Sequence, residues 1–130
     1  MKTILFLFWL GVAGAAGTLA RYGLFRLARK FYPAAAYDLG IFTANVAGSF
    51  LAGVLCGALL RDSSWREPYG VLLLFGFCGA FTTFSTVMVE CSRLTLNGNI
   101  TAALINLTMH NFCGLAAAML GLHLMRIVMR

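Results

Sequence analysis

Apolar residues fall into four long runs, at about residues 3–25, 39–60, 69–90 and 100–125. A helix needs about 20 residues to cross a bilayer, so each run is long enough to span. The connections are short: FYPAAAYD carries Pro33, RDSSWREP carries Pro68 and LNGN carries Gly98. The pattern predicts an all-α membrane protein, a single four-span domain over residues 1–130. The first run also has the look of a signal peptide, with Lys2, an apolar stretch and then AGAAG. Three more spans follow it and its small residues continue as a packing pattern, so it is read as a span.

The third run is not uniformly apolar. Residues 76–90 read GFCGAFTTFSTVMVE, in which a glycine–alanine pair and four hydroxyl residues interrupt the hydrophobic sequence. A membrane helix broken at mid-depth persists only where the freed backbone is buried in protein or lines a cavity. The third helix is therefore expected to break near its middle, and this stretch is the expected functional centre. Thr82, Thr83, Ser85 and Thr86 follow the glycine–alanine pair as a polar track. Thr82 and Thr86 share a face if the helix resumes at once, being four apart.

Composition supports the lipid reading. The chain is 61% hydrophobic and 11% charged, against about 25% charged in a soluble domain. The net charge of +6 is spread between apolar runs and is not gathered on one face as nucleic-acid binding requires. Cysteines 56, 78, 91 and 113 stand alone, with no zinc-ligand spacing and no disulfide framework, and read as small apolar packing residues. No nucleophile–base pair, paired carboxylates or metal cluster is legible, which argues against an enzyme.

The charges that do exist are nearly balanced across the membrane. Lys2, Arg61, Arg66, Arg126 and Arg130 fall on one side; Arg26, Arg29, Lys30 and Arg93 fall on the other, with Arg21 just inside the first span. The positive-inside rule then gives almost no preferred orientation. Such a chain can insert both ways, which predicts an antiparallel, dual-topology dimer, the two-chain counterpart of an inverted repeat. Gly53 with Gly57, Gly114 with Ala118, Ala117 with Gly121, and the ladder Ala44, Gly48, Ala52 are spaced for close helix contact.

Polar residues at membrane depth are functional candidates by default. Asn45 is one, either as an interhelical hydrogen bond or as a donor to a passing ligand. Phe81 and Phe84 read as lipid-facing or core rings, or as rings whose electropositive edge meets an anion. Arg21 either snorkels to headgroups or raises the anion potential at a vestibule. Glu90 closes the third run, and its simplest partner is Arg93, three residues on. Asn106 and His110 either line the track or bridge helices. Donors predominate and no acid lies at depth, so a small hard anion, fluoride-like or chloride-like, is favoured over a proton or a cation.

Three segments carry a family resemblance: GAAGTLARY, GIFTANVAGSFLAG and GFCGAFTTFST, in that order. With the four-span length they resemble the Fluc (CrcB-type) fluoride channel family over essentially the whole chain. The resemblance implies an antiparallel dimer in the cell (inner) membrane with two narrow pores that export fluoride passively and lower its toxicity. It puts Asn45, Phe84, Ser85 and Arg21 on the fluoride pathway; Thr86 and His110 are added as neighbours in the polar track. It further implies a structural sodium ion at the dimer centre, held by the main-chain carbonyls of Gly79 and Thr82. The chain departs from the family pattern at Val87 and Met88, where a second ring and a hydroxyl are usual, and at Gly114 and Ala118. Two readings follow, a homodimer with a modified pore or a heterodimer with a sister chain. Competing functions are a small dual-topology proton-coupled exporter, for which Glu90 would be the carboxylate, and a non-conducting subunit of a heterodimeric channel.

Overall fold

The apolar runs form helices that are all longer than the minimum needed to span. In the computed structural model, which describes residues 2–33, 35, 37–61 and 66–129, α1 covers Lys2–Phe31 and α2 covers Leu39–Arg61. The third span, Pro68–Leu96, is assembled from pieces. It contains π-helical turns at Arg66–Gly70 and Leu72–Cys78, the short α3 (Gly79–Phe81) and, after a break, α4 (Phe84–Leu96). The fourth span is α5, Ile100–Val128. Residues 62–65 of the second connection, and Arg130 of the charge count, lie outside the described residues.

Among the described residues, four helices are thus long and apolar enough to cross a membrane. Large apolar side chains such as Phe8, Leu19, Phe112 and Met119 are exposed along their lengths, as expected where lipid is the solvent. The chain is a multi-pass, all-helical membrane protein. Arg29 and Lys30 fall in the last turn of α1, which continues to Phe31. There their charge complements the helix dipole.

Helix ends are closed by side chains. Asp38 caps α2, its Oδ1 accepting from the amides of Gly40 at 3.0 Å and Ile41 at 3.1 Å. Asn99 caps α5 through the Ala102 amide at 3.2 Å, after a turn in which Gly98 takes φ +77°. Each such cap is worth about 1 kcal/mol.

The main seam runs between α2 and α5. Its closeness rests on the small residues noted in the sequence. A Cβ on Gly53 would fall onto the main chain of Ala118, and one on Gly121 onto the carbonyl of Phe50. Contact of backbone on backbone at these points leaves no room for a side chain, which is how helices associate where lipid supplies no hydrophobic drive. The first half of the third span packs on α1, and α4 packs on α5. The break is carried to a fixed place between α2 and α5 by these contacts.

Candidate functional site

The helix breaks at Thr82 and Thr83, and not at Gly79 and Ala80, which remain helical. Both threonines are extended, with φ, ψ of −89°, 158° and −152°, 121°. β-branched side chains favour that region, and their hydroxyls repair what it undoes. Thr82 Oγ1 donates back to the Cys78 carbonyl at 3.0 Å, which also accepts the Thr82 amide at 3.0 Å. Thr83 Oγ1 accepts from the Thr86 amide at 3.3 Å and so caps α4. Thr82 and Thr86 therefore lie on opposite sides of the break and do not form a continuous face. Thr83 Oγ1 also lies 3.2 Å from Ser85 Oγ and 3.1 Å from Thr86 Oγ1, making a cluster of three hydroxyls.

Asn45 completes the repair. Its Oδ1 accepts from the Thr83 amide at 2.7 Å, and its Nδ2 donates to the Thr83 carbonyl at 3.0 Å. Both ends of the amide are thus committed to the main chain of one residue, Thr83, 38 positions away. One N–H of the amide nitrogen remains for any further acceptor. This arrangement has a consequence for the main chain. In an unbroken helix the Thr83 amide would bond to Gly79 and the Thr86 amide to Thr82. Asn45 and the Thr83 hydroxyl take those two amides instead. The carbonyls of Gly79 and Thr82 are released from the helical ladder.

A groove of about 340 Å³ opens at this point between α2, the break and α5. Asn45, Ser49, Thr82, Thr83, Phe84 and His110 all line it, and among the described residues no Asp, Glu, Lys or Arg does. Gly48 lies on its α2 side, where a Cβ would press on the Thr82 methyl and the Phe81 ring. Of the residues singled out from sequence, Asn45, Phe84, His110, Gly79 and Thr82 meet around the groove. Ser85 is exposed and Thr86 half-buried beside it, joined to it through Thr83. Arg21 is half-buried on α1, away from the groove lining. Phe84 is 67% exposed, so its ring stands out from the chain. Val87 is 2% exposed and also lines the groove.

Three residues of the site were not singled out. Thr83, read only as one of four hydroxyls, is the hub of the break. Ser49 follows Asn45 by four and shares its face, a spacing that could have found it. Asn111 lines the groove beside His110, with its Nδ2 donating to the Leu107 carbonyl at 2.7 Å.

Glu90 lies elsewhere than its sequence neighbours suggest. It does not end the third span, since α4 continues to Leu96. The local pair with Arg93 is replaced by tertiary partners. Glu90 Oε1 accepts from the Asp38 amide at 2.6 Å and Oε2 from Asn106 Nδ2 at 2.9 Å. A charged acceptor favours these half-buried donors over an arginine that stays exposed in water. Asn106, 3% exposed, thus bridges helices. Asp38 Oδ2 in turn lies 3.9 Å from Arg29 Nε. The result is a polar clasp from the first connection through α4 to α5, next to a second cavity of about 250 Å³.

The sequence is similar to those of known proteins over most of its length. The family model described as "CrcB-like protein, Camphor Resistance (CrcB)" matches residues 8–122. The chain is 35% identical over 115 residues to the "Fluoride-specific ion channel FluC" of Gloeothece citriformis, covering 88% of this chain and 92% of that one. It is 40% identical over 116 residues to the "Fluoride-specific ion channel FluC 1" of Symbiobacterium thermophilum, covering 88% and 93%. It is also 40% identical over 119 residues to the "Fluoride-specific ion channel FluC" of Nitratidesulfovibrio vulgaris, covering 92% and 95%.

Proposed function

This chain belongs to the CrcB-like family of fluoride channels, and from that premise we propose that it conducts fluoride selectively and passively out of the cytoplasm, as an antiparallel dimer. The observation that carries the reading is the uncharged groove at the helix break. Hydroxyl and amide groups, with the Phe84 ring beside them, offer donors and electropositive edges to a small anion. A fixed lysine or arginine there would hold an anion too strongly to let it leave, since conduction needs binding weak enough for exit. Exposed apolar faces and a near-balanced charge distribution support the pairing of two copies in opposite orientations.

A sodium ion at the dimer centre fits the released carbonyls of Gly79 and Thr82. Carbonyl oxygens are hard ligands suited to such a cation, and Gly79 is exposed on the single chain. Two chains would supply four oxygens. The ion's role is structural: it satisfies acceptors that lipid cannot.

The proton-coupled alternative would need Glu90 to exchange protons with a substrate. Both its oxygens are already engaged by the Asp38 amide and Asn106, which weakens that reading. Val87 and Met88 keep the homodimer and the mixed dimer both in play. The deciding experiment is fluoride efflux from liposomes holding this chain alone. Electrogenic fluoride efflux with chloride excluded supports the homodimeric channel. Flux only when a sister chain is co-reconstituted moves the reading to a heterodimer, and no fluoride flux in either case sinks it.

A further inference from the structure

His110 is 8% exposed and lines the groove from α5. Its Nδ1 lies 2.9 Å from the main-chain carbonyl oxygen of Asn106, one turn earlier. A carbonyl only accepts, so Nδ1 carries the proton, and in the neutral ring Nε2 presents a bare lone pair. That Nε2 is buried and, among the described residues, has no hydrogen-bonding partner. The ring is held in this pose by the Asn106 bond and by Phe42, which meets it edge-on with centroids 5.2 Å apart at 88°.

Buried polar atoms in folded proteins are nearly always satisfied. Each neighbouring side-chain amide spends one N–H elsewhere, Asn45 Nδ2 on Thr83, Asn106 Nδ2 on Glu90 and Asn111 Nδ2 on Leu107, and none of them bonds Nε2 with the other. An anion cannot fill the position, because two electron pairs would face each other. Nor, among the described residues, do further His, Cys, Asp or Glu side chains join the imidazole to make a metal site. The remaining class is a neutral hydrogen-bond donor.

We infer that His110 Nε2 holds a water molecule in the groove, and that this water, not the imidazole, faces a passing anion. The water donates one proton to Nε2 and turns the other toward the path. Ser49, Thr83 and Asn111 line the same groove and supply the further polar contacts a bound water needs. The imidazole acceptor is thereby converted into a donor at one remove. The anion keeps one fixed water on the α5 side while side-chain hydroxyls replace its hydration on the other. The identity of the anion rests on the fluoride reading above; the tautomer and the water do not.

The test is nitrogen-15 NMR of histidine-labelled protein in lipid bicelles at neutral pH. His123→Gln, at an exposed position outside the groove, leaves His110 as the single signal. The expected result is a proton on Nδ1, an Nε2 shift of a hydrogen-bonded acceptor, and cross-relaxation between the ring protons and water. Adding fluoride should leave the tautomer in place and move the Nε2 shift only slightly. A proton on Nε2, conversion to imidazolium on adding fluoride, or contact with a side chain of a second copy in place of water would each overturn the inference. The same preparation in liposomes measures fluoride efflux. Absence of flux, with or without a co-reconstituted sister chain, removes the fluoride reading, and the Nδ1 tautomer with water contact intact leaves the water site standing.

Discussion

Asn45 and Thr83 form a closed pair: the asparagine amide accepts the threonine N–H at 2.7 Å and donates to its carbonyl at 3.0 Å. One side chain thereby takes the place of missing helical neighbours for both main-chain groups of one residue. The residue most readily assigned to the ion path is also the one that makes the broken helix tolerable in a membrane.

Asn45→Ala should therefore act on stability first. It orphans a donor and an acceptor, each costing about 1–3 kcal/mol when buried. Equilibrium unfolding in mixed detergent measures the loss. A variant as stable as the parent would show that the pair contributes nothing to the fold.

Asn45→Asp keeps an acceptor for the Thr83 amide but sets a negative charge against the Thr83 carbonyl and any anion nearby. Fluoride efflux from liposomes is expected to fall at least about tenfold, equivalent to about 1.4 kcal/mol of barrier. Efflux at the parental rate would remove Asn45 from the pathway.

Glu90→Gln replaces one of two acceptor oxygens with a donor that faces either the Asp38 amide or Asn106. The clasp between the first connection, α4 and α5 loses a bond to a charged group, worth about 1.5–3 kcal/mol. A matching drop in unfolding free energy is expected. Abolished substrate-driven proton flux in the same variant would instead revive the exporter reading.

Gly53→Ala places a methyl on the Ala118 main chain, which cannot move aside as a flexible side chain can. Overpacking of this kind costs about 1–3 kcal/mol. Gly11→Ala, where a Cβ meets nothing within 4 Å, serves as the control. Equal effects of the two substitutions would contradict the seam described between α2 and α5.

Sodium dependence tests the released carbonyls of Gly79 and Thr82. Replacing sodium with a large organic cation should lower the melting temperature, because a ligand at 100 times its Kd adds about 2.7 kcal/mol to stability. A melting temperature indifferent to the cation would argue that the carbonyls are satisfied otherwise.

The amino-acid sequence determined the number of spans, because bilayer thickness sets a minimum run of apolar residues that the four runs meet. It also located a disturbed stretch in the third run and the small residues of Gly53 and Gly121, since these are local properties of composition and spacing. Tertiary structure alone decided the rest. Within that stretch the break fell at Thr82 and Thr83 and left Gly79 and Ala80 helical, because threonine hydroxyls and Asn45 can satisfy an opened backbone there. Glu90 turned from Arg93, three residues away, to Asp38, which is 52 residues away. Spacing along a helix ranks the partners a residue has on its own helix. It says nothing of which distant amide the packing of α2 and α5 will bring within 3 Å, and that placement is what makes the groove.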